Sequence, residues 1–163
     1  IQALTYSWTS TKIPTYSGLI EQKQYNQLDR LFYYTVRQAV SVNAVCLVVF
    51  FAFIFCFRHF DLTISQVNMA NRFLPYIPMI LMMLPEFANQ FITAWATYLR
   101  CHKQEPFLFY SVATAILCCI STLGIGRIWG TYGITAGYCI ITLALTPWAY
   151  KIFKTKRDLW HNN

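Results

Sequence analysis

Charged residues are scarce in this sequence of 163 residues: they make up 12% of it, against about 25% in an ordinary soluble domain. Acidic residues are scarcest, with six Asp and Glu, whereas 56% of the residues are hydrophobic and the mean hydropathy is +0.39. Disordered, collagen-like and coiled-coil chains all require more charge, more glycine and proline, or more polar repeats. One soluble core of this size could not bury so much apolar surface. The composition therefore predicts an integral membrane protein.

Motifs for catalysis, metal binding and cofactor binding are also missing from the sequence. The six cysteines form no CxxC or Cys/His zinc pattern, which predicts free thiols that serve packing. The three histidines lie outside the apolar runs and form no HExxH or Ser/His/Asp spacing, and no glycine-rich phosphate loop is present. We therefore predict no catalytic residue, no cofactor and no metal, and we do not expect an enzyme.

Four apolar runs are each long enough to cross a bilayer, which takes about 20 helical residues. They cover residues 38–57, 73–99, 107–126 and 130–150. None shows the alternating pattern of a membrane β-barrel strand. The sequence therefore predicts an all-α, multispanning transmembrane helix bundle that forms one domain over residues 1–163.

The first 37 residues differ from these runs. Residues 1–11 are uncharged and rich in Ser and Thr but too short to cross, which predicts a partial span ended by Pro14. The pair Ser17-Gly18 then permits a turn.

Apolar residues at helical spacing over 26–37, after an Asn26/Asp29 capping box, predict an interfacial amphipathic helix that runs into the first span. Whether its apolar stripe meets lipid or protein stays open. Since the chain starts in mid-pattern without Met, we expect a fragment of a longer protein.

Basic residues are distributed unevenly between the predicted loops. Ten Lys and Arg fall in the N-terminal segment, the second loop and the tail, against three in the other two loops. Because cytoplasmic loops of membrane proteins are enriched in Lys and Arg, both ends of the chain are predicted to be cytoplasmic.

No loop combines a basic stripe with stacking aromatics, so no nucleic-acid partner is expected. In the tail, Phe153, Leu159 and Trp160 beside the lysines predict a surface anchor on anionic membrane lipid.

The second apolar run carries the one acidic residue found within the four runs, Glu86, near its midpoint. An ionised side chain there costs about 2.5–3.5 kcal/mol on insertion scales, so it is expected to face a bundle interior or an aqueous cavity. Polar residues that share its helix face predict a cavity-lining stripe: Glu86, Asn89, Gln90, Thr93 and Thr97. The alternative is a Glu held by a polar partner on another helix.

Proline and glycine positions predict the shape of two helices. Pro75, Pro78 and Pro85 indicate either a kinked helix or one that starts late and irregularly. In the last run, small residues at helical spacing indicate a face for close helix packing: Gly130, Gly133 and Gly137.

Three segments, taken in their order and spacing, resemble one transporter family. They are WTSTKIPTYSGLIEQKQYNQLDRLF (8–32), NQFITAWATYLRCHKQEPF (89–107) and GRIWGTYGITAGY (126–138). The chain is similar to the C-terminal part of O-antigen (Wzx-type) polysaccharide flippases of the multidrug/oligosaccharidyl-lipid/polysaccharide exporter superfamily. The resemblance implies a bacterial inner-membrane transporter that moves undecaprenyl-linked oligosaccharide for O-antigen, capsule or exopolysaccharide. Its implied partners are the lipid-linked oligosaccharide, membrane lipid and a missing N-terminal half.

Two other functions stay open at this point. One is a different multispanning transporter of the same architecture, such as a drug exporter. The other is a membrane subunit or polymerase of envelope glycan synthesis. The sequence specifies neither the sugar unit nor the coupling ion nor the oligomeric state.

Overall fold

The computed structural model describes residues 1–59, 63–64, 67–68, 73–103 and 105–161. Two short helices precede three long ones, and a pair of two-residue strands lies between the first two long helices. The helices are α1 (Gln2–Ser10), α2 (Ile13–Glu21), α3 (Tyr25–His59), α4 (Tyr76–Cys101) and α5 (Leu108–His161). The strands β1 (Thr63–Ile64) and β2 (Val67–Asn68) pair antiparallel, with Thr63 opposite Asn68.

Three helices, α3, α4 and α5, are long and apolar enough to cross a membrane. The 26 residues of α4 extend about 39 Å at 1.5 Å per residue, more than the ~30 Å of a bilayer's hydrocarbon core. Hydrophobic side chains cover much of their outer surface, as expected where the surrounding medium is lipid. The chain is therefore a membrane-embedded helical protein, as the composition predicted.

The predicted amphipathic segment 26–37 and the first predicted span form one continuous helix, α3. Its apolar stripe meets protein and not lipid, because Leu28 and Phe32 are fully buried inside the chain. The predicted Asn26/Asp29 capping box is wrong. Asn26 lies inside the first turn, where the carbonyl of Gln24 already accepts the N–H groups of Gln27 and Leu28. Asp29 instead accepts a hydrogen bond from the hydroxyl of Tyr98, 2.9 Å away.

The predicted turn at Ser17-Gly18 is also wrong, since both residues lie inside α2. Pro14 sits in the first turn of that helix, where its missing N–H leaves no hydrogen bond unmade, so it begins a helix. The chain reverses later, at Lys23, which has a φ of +55°. There the N–H of Lys23 bonds to the carbonyl of Ile20, and the next N–H bonds to the carbonyl of Leu19.

The three prolines of α4 have different positions. Pro75 precedes the helix and Pro78 lies in its first turn, so both mark its start, at Tyr76. Pro85 lies inside the helix and is buried. Because proline has no N–H, the carbonyl of Leu81 lacks its usual partner one turn later.

Helix α5 folds back on itself at Gly130, whose φ of 58° and ψ of −137° are not helical. Tyr110 and Trp148 have ring centroids 5.7 Å apart, whereas an uninterrupted helix would separate them by about 57 Å. The first arm (108–129) and the second arm (131–161) therefore form an antiparallel hairpin. Glycine suits the turn because other residues avoid a positive φ.

The predicted packing glycines divide into two roles. A Cβ at Gly133 would lie 2.6 Å from the carbonyl oxygen of Ile125, and one at Gly137 would overlap the hydroxyl of Ser121. These two glycines let the arms of the hairpin approach closely. At Gly130 a Cβ would meet open space, so this residue serves the turn and not the packing.

An aromatic cluster holds α2, α3, α4 and α5 together at one end of the bundle. The ring of Phe32 lies 4.8 Å from that of Tyr98 and 5.7 Å from that of Phe153, by centroids. Tyr16 packs edge-on against Phe32, and burial raises the pKa of its phenol. The cluster therefore joins elements that are far apart in the sequence.

The predicted lipid anchor in the tail is wrong for Phe153. Phe153 is 1% exposed within the aromatic cluster, and Trp160 stacks on His102 with ring centroids 4.1 Å apart. An apolar face beside lysines suits packing against protein as well as against lipid, so the pattern alone could not distinguish them. Leu159 is exposed.

The close approach of the two arms predicts different effects of alanine at two glycines. Gly133→Ala should lower the free energy of unfolding by about 1–3 kcal/mol, because its methyl group overlaps a backbone carbonyl that cannot rotate away. Gly124→Ala is the matched control: a Cβ there meets nothing within 4 Å. It should raise the free energy of unfolding by about 0.5–1 kcal/mol. Denaturant titration in mixed micelles measures both, and equal effects would contradict the hairpin packing.

Candidate functional site

The predicted polar stripe of α4 lies partly inside the chain and partly at its boundary. Gln90 is 2% exposed and Thr97 is also buried. Glu86, Asn89 and Thr93 are half-buried. The five residues therefore share one helix but have different surroundings.

Gln90 is connected to α1. The hydroxyl of Thr5 lies 2.8 Å from Oε1 of Gln90 and 3.0 Å from the carbonyl oxygen of Gln2. Because a hydroxyl carries one proton, it donates to one of these oxygens at a time. Thr5 is itself fully buried, so α1 covers this part of α4 with a polar contact.

Asn89 is connected to the second arm of α5, since its Nδ2 donates to the hydroxyl of Tyr138 at 2.8 Å. The hydroxyl of Thr97 donates to the carbonyl of Thr93, four residues earlier on the same helix, at 2.8 Å. Asn89 and Gln90 thus join α4 to other elements. Thr97 is satisfied within α4 itself.

Asn43, inside α3, is a further buried polar residue and was not among the predicted site residues. It is 0% exposed, and neither of its amide atoms has a hydrogen-bond partner among the described residues. Helix α3 runs antiparallel to α4, because Phe55 contacts Tyr76 and Asp29 contacts Tyr98. This register places Asn43 at about the level of Glu86. The sequence did contain a signal for Asn43, namely an amide side chain inside an uncharged apolar run.

Glu86 lies on the wall of a cavity of about 590 Å³ between α1, α3 and α4. It is the one ionisable side chain among the described lining residues, which include Leu47, Ile54, Met79 and Met83. Its carboxylate forms no ion pair or hydrogen bond within the described part of the chain. A carboxylate in such a place can exchange a proton or balance a cation.

Basic segments meet at the end of the bundle that holds the aromatic cluster. Lys23, Arg100 and Lys103 line one cavity there. In the tail, Nη1 of Arg157 donates to the hydroxyl of Tyr33 at 2.6 Å. At the opposite end of α3, Arg58 lies over the ring of Tyr76. The N-terminal segment, the second loop and the tail therefore lie at the same end of the bundle. The count of ten Lys and Arg had placed these three segments on one side of the membrane.

Within the described residues no group of three or more His, Cys, Asp or Glu is arranged to hold a metal ion. Searches against protein-family models, curated proteins and solved structures give no match to this chain. The choice between functions therefore depends on the chain's own geometry and on the resemblance of segments 8–32, 89–107 and 126–138 to a transporter family.

The contact between Thr5 and Gln90 predicts an energetic coupling between α1 and α4. Thr5→Val and Gln90→Met keep approximate shape and remove the hydrogen bond. In a double-mutant cycle on the free energy of unfolding, their coupling should be about 0.6 kcal/mol and at most about 1.7 kcal/mol, the range for side-chain hydrogen bonds in membrane proteins.

Thr11→Val is the matched control for this cycle. The Thr11 hydroxyl bonds to the carbonyl of Trp8 in its own turn, 2.9 Å away. Paired with Gln90→Met it should give additive effects, within about 0.3–0.5 kcal/mol. Equal coupling for Thr5 and Thr11 would show that α1 does not cover Gln90.

Proposed function

We propose that this chain is the C-terminal part of a bacterial inner-membrane flippase for undecaprenyl-linked oligosaccharide, and that it is a transporter and not an enzyme. The observation that carries a transport role is the Glu86 carboxylate, which lines a cavity at membrane depth without a partner in the described chain. The resemblance of segments 8–32, 89–107 and 126–138 supplies the substrate class.

The energetics favour a cavity-lining role for Glu86 over a structural one. A charge at membrane depth costs about 2.5–3.5 kcal/mol on insertion scales, and that cost falls where water or a cation is accessible. A structural Glu would require a polar partner on another helix, and none is present in the described residues. About one turn along α4, Gln90 and Asn89 are hydrogen-bonded to Thr5 and Tyr138. Of the predicted stripe, Glu86 is the one member among the described residues that line this cavity.

We propose four membrane crossings, because the turn at Gly130 divides α5 into two arms. The first arm, residues 108–129, is about 33 Å long and the second is longer, so each suffices for the ~30 Å hydrocarbon core. Helices α3 and α4 supply the other two crossings. The grouping of basic segments at one end then supports a cytoplasmic location for the N-terminal segment and the C-terminus.

The side of the membrane on which His161 lies tests this topology. Alkaline phosphatase, which is active only outside the cytoplasm, should be active when inserted after Thr63 and inactive when fused after His161. A fluorescent protein fused after His161 should be bright. If α5 crosses only once, His161 moves to the side of Thr63, and active phosphatase at both positions would exclude four crossings.

Glu86→Gln tests the charge-based role, because it keeps shape and hydrogen bonding but removes the negative charge. The complete reading frame that contains this chain is returned to a host from which it has been deleted. We expect Glu86→Gln to reduce surface polysaccharide severely while the amount of protein in the membrane stays near that of the unmodified protein. Blots for polysaccharide and protein measure both quantities.

Gln90→Met is the matched control, since it alters a buried neighbour without changing charge. It should lower polysaccharide only in proportion to the protein level. Normal export with Glu86→Gln would contradict the charge-based role. Low abundance of Glu86→Leu would then indicate that residue 86 serves packing, because Leu leaves its hydrogen-bonding partner unpaired.

A drug exporter is the second candidate function, favoured by the lining of the same cavity. Methionines and other apolar side chains with a single carboxylate suit a lipophilic cation. Efflux of a fluorescent lipophilic cation from the deletion host and the restored host distinguishes the two. Efflux that depends on Glu86, with unchanged surface polysaccharide, would replace the flippase proposal.

A further inference from the structure

A second cavity, of about 660 Å³, lies where α2, the end of α4 and the end of α5 meet. Three basic side chains line it: Lys23, Arg100 and Lys103. Among the described lining residues Glu21 is the one carboxylate. The cavity is therefore cationic and suited to a phosphate group.

Backbone geometry places two of the three basic residues, Lys23 and Lys103, at this cavity. Lys23 and Lys103 each have a positive φ, of 55° and 58°, and each lies two residues beyond the end of a helix, α2 and α4 respectively. Their N–H groups bond to the carbonyls of Ile20 and Arg100, respectively. Cations at helix C-termini are favoured by the helix dipole, so both lysines sit where their charge is stabilised.

Arg100 remains accessible for a ligand. Its pairing with Glu105 spans 3.4 Å, and both side chains are more than half exposed. Exposed pairs of this kind contribute little to stability and are easily exchanged for a stronger anion. A phosphate group can therefore compete for the guanidinium.

Part of the remaining lining of the cavity is apolar. Ile13 and Ile20 line it from α2, and Trp160 lines it from the tail, with its ring stacked on His102. Helix α4 is longer than the hydrocarbon core is thick and ends at Cys101. We therefore expect the cavity to lie at the depth of the lipid headgroups. A soluble anion needs only the basic residues, whereas a lipid uses both kinds of wall.

We propose that this cavity binds the headgroup phosphate of an anionic membrane lipid, with the adjoining apolar part of the lipid against the isoleucines. The proposal requires only that the protein is embedded in a membrane. It is independent of the flippase proposal, and each can fail alone.

Lipid binding to the full-length protein in uncharged detergent tests the proposal. Phosphatidylglycerol and phosphatidylcholine are titrated, and binding is followed by native mass spectrometry. The unmodified protein should prefer phosphatidylglycerol. The triple variant Lys23→Gln, Arg100→Gln, Lys103→Gln should lose at least about tenfold in affinity, because each basic residue near an anionic lipid contributes severalfold.

The matched control removes the same number of charges from the tail: Lys151→Gln, Lys154→Gln, Lys156→Gln. None of the three lines the cavity, so affinity should change by less than about twofold, the effect of diffuse charge alone. Glu21→Gln should strengthen binding by removing the opposing charge, a gain that a misfolded variant cannot produce.

Three results would overturn the proposal. Equal loss in the two triple variants would mean that the basic surface attracts lipid without a site. No preference of the unmodified protein for phosphatidylglycerol would exclude recognition of an anionic lipid. Displacement of the lipid by millimolar inorganic phosphate would assign the cavity to a soluble phosphate.

Discussion

Water does not reach the hydrocarbon core of a bilayer, so polar groups of this chain at that depth need partners within the bundle. Many threonines meet this need locally by donating to the carbonyl four residues earlier, as Thr35, Thr97, Thr114, Thr135 and Thr146 do. The amides of Asn89 and Gln90 have no such local route and bond instead to Tyr138 and Thr5. The polar contacts that join α4 to α1 and α5 follow from this requirement.

The two ends of the bundle are held in different ways, because the hydrocarbon constraint relaxes there. At one end, aromatic rings and hydrogen-bonded charges, including Asp29 with Tyr98 and Arg157 with Tyr33, join three long helices. At the other end, Gly130 provides the turn of the α5 hairpin, and Gly133 and Gly137 let its two arms approach closely. The aromatic end holds most of the buried core, so the relative positions of α3, α4 and α5 are determined mainly there.

Run length and composition predicted the long helices well, since crossing a bilayer demands about 20 apolar residues whatever their partners. Residues 38–57, 73–99, 107–126 and 130–150 all lie almost entirely inside α3, α4 and the arms of α5. Predictions from short sequence motifs failed where a contact with a distant part of the chain determined the residue's partner. Asp29 forms a bond to Tyr98 in place of a capping box, and Phe153 enters a protein core in place of lipid. Helical spacing gave the polar face of α4, but it could not reveal its partners Thr5 and Tyr138, which come from distant segments.

The polar residues at membrane depth thus fall into two groups with different physical consequences. Gln90 and Asn89 are satisfied by bonds that fix neighbouring helices, so they are part of the scaffold. Asn43 and Glu86, at about the same level of α3 and α4, have no partner in the described chain. Leaving a buried polar group unpaired costs about 1–3 kcal/mol, and more for a charge. Water, a bound molecule or another polypeptide has to offset that cost. Of these two residues Glu86 lines the cavity between α1, α3 and α4, so its carboxylate is within reach of whatever enters that cavity.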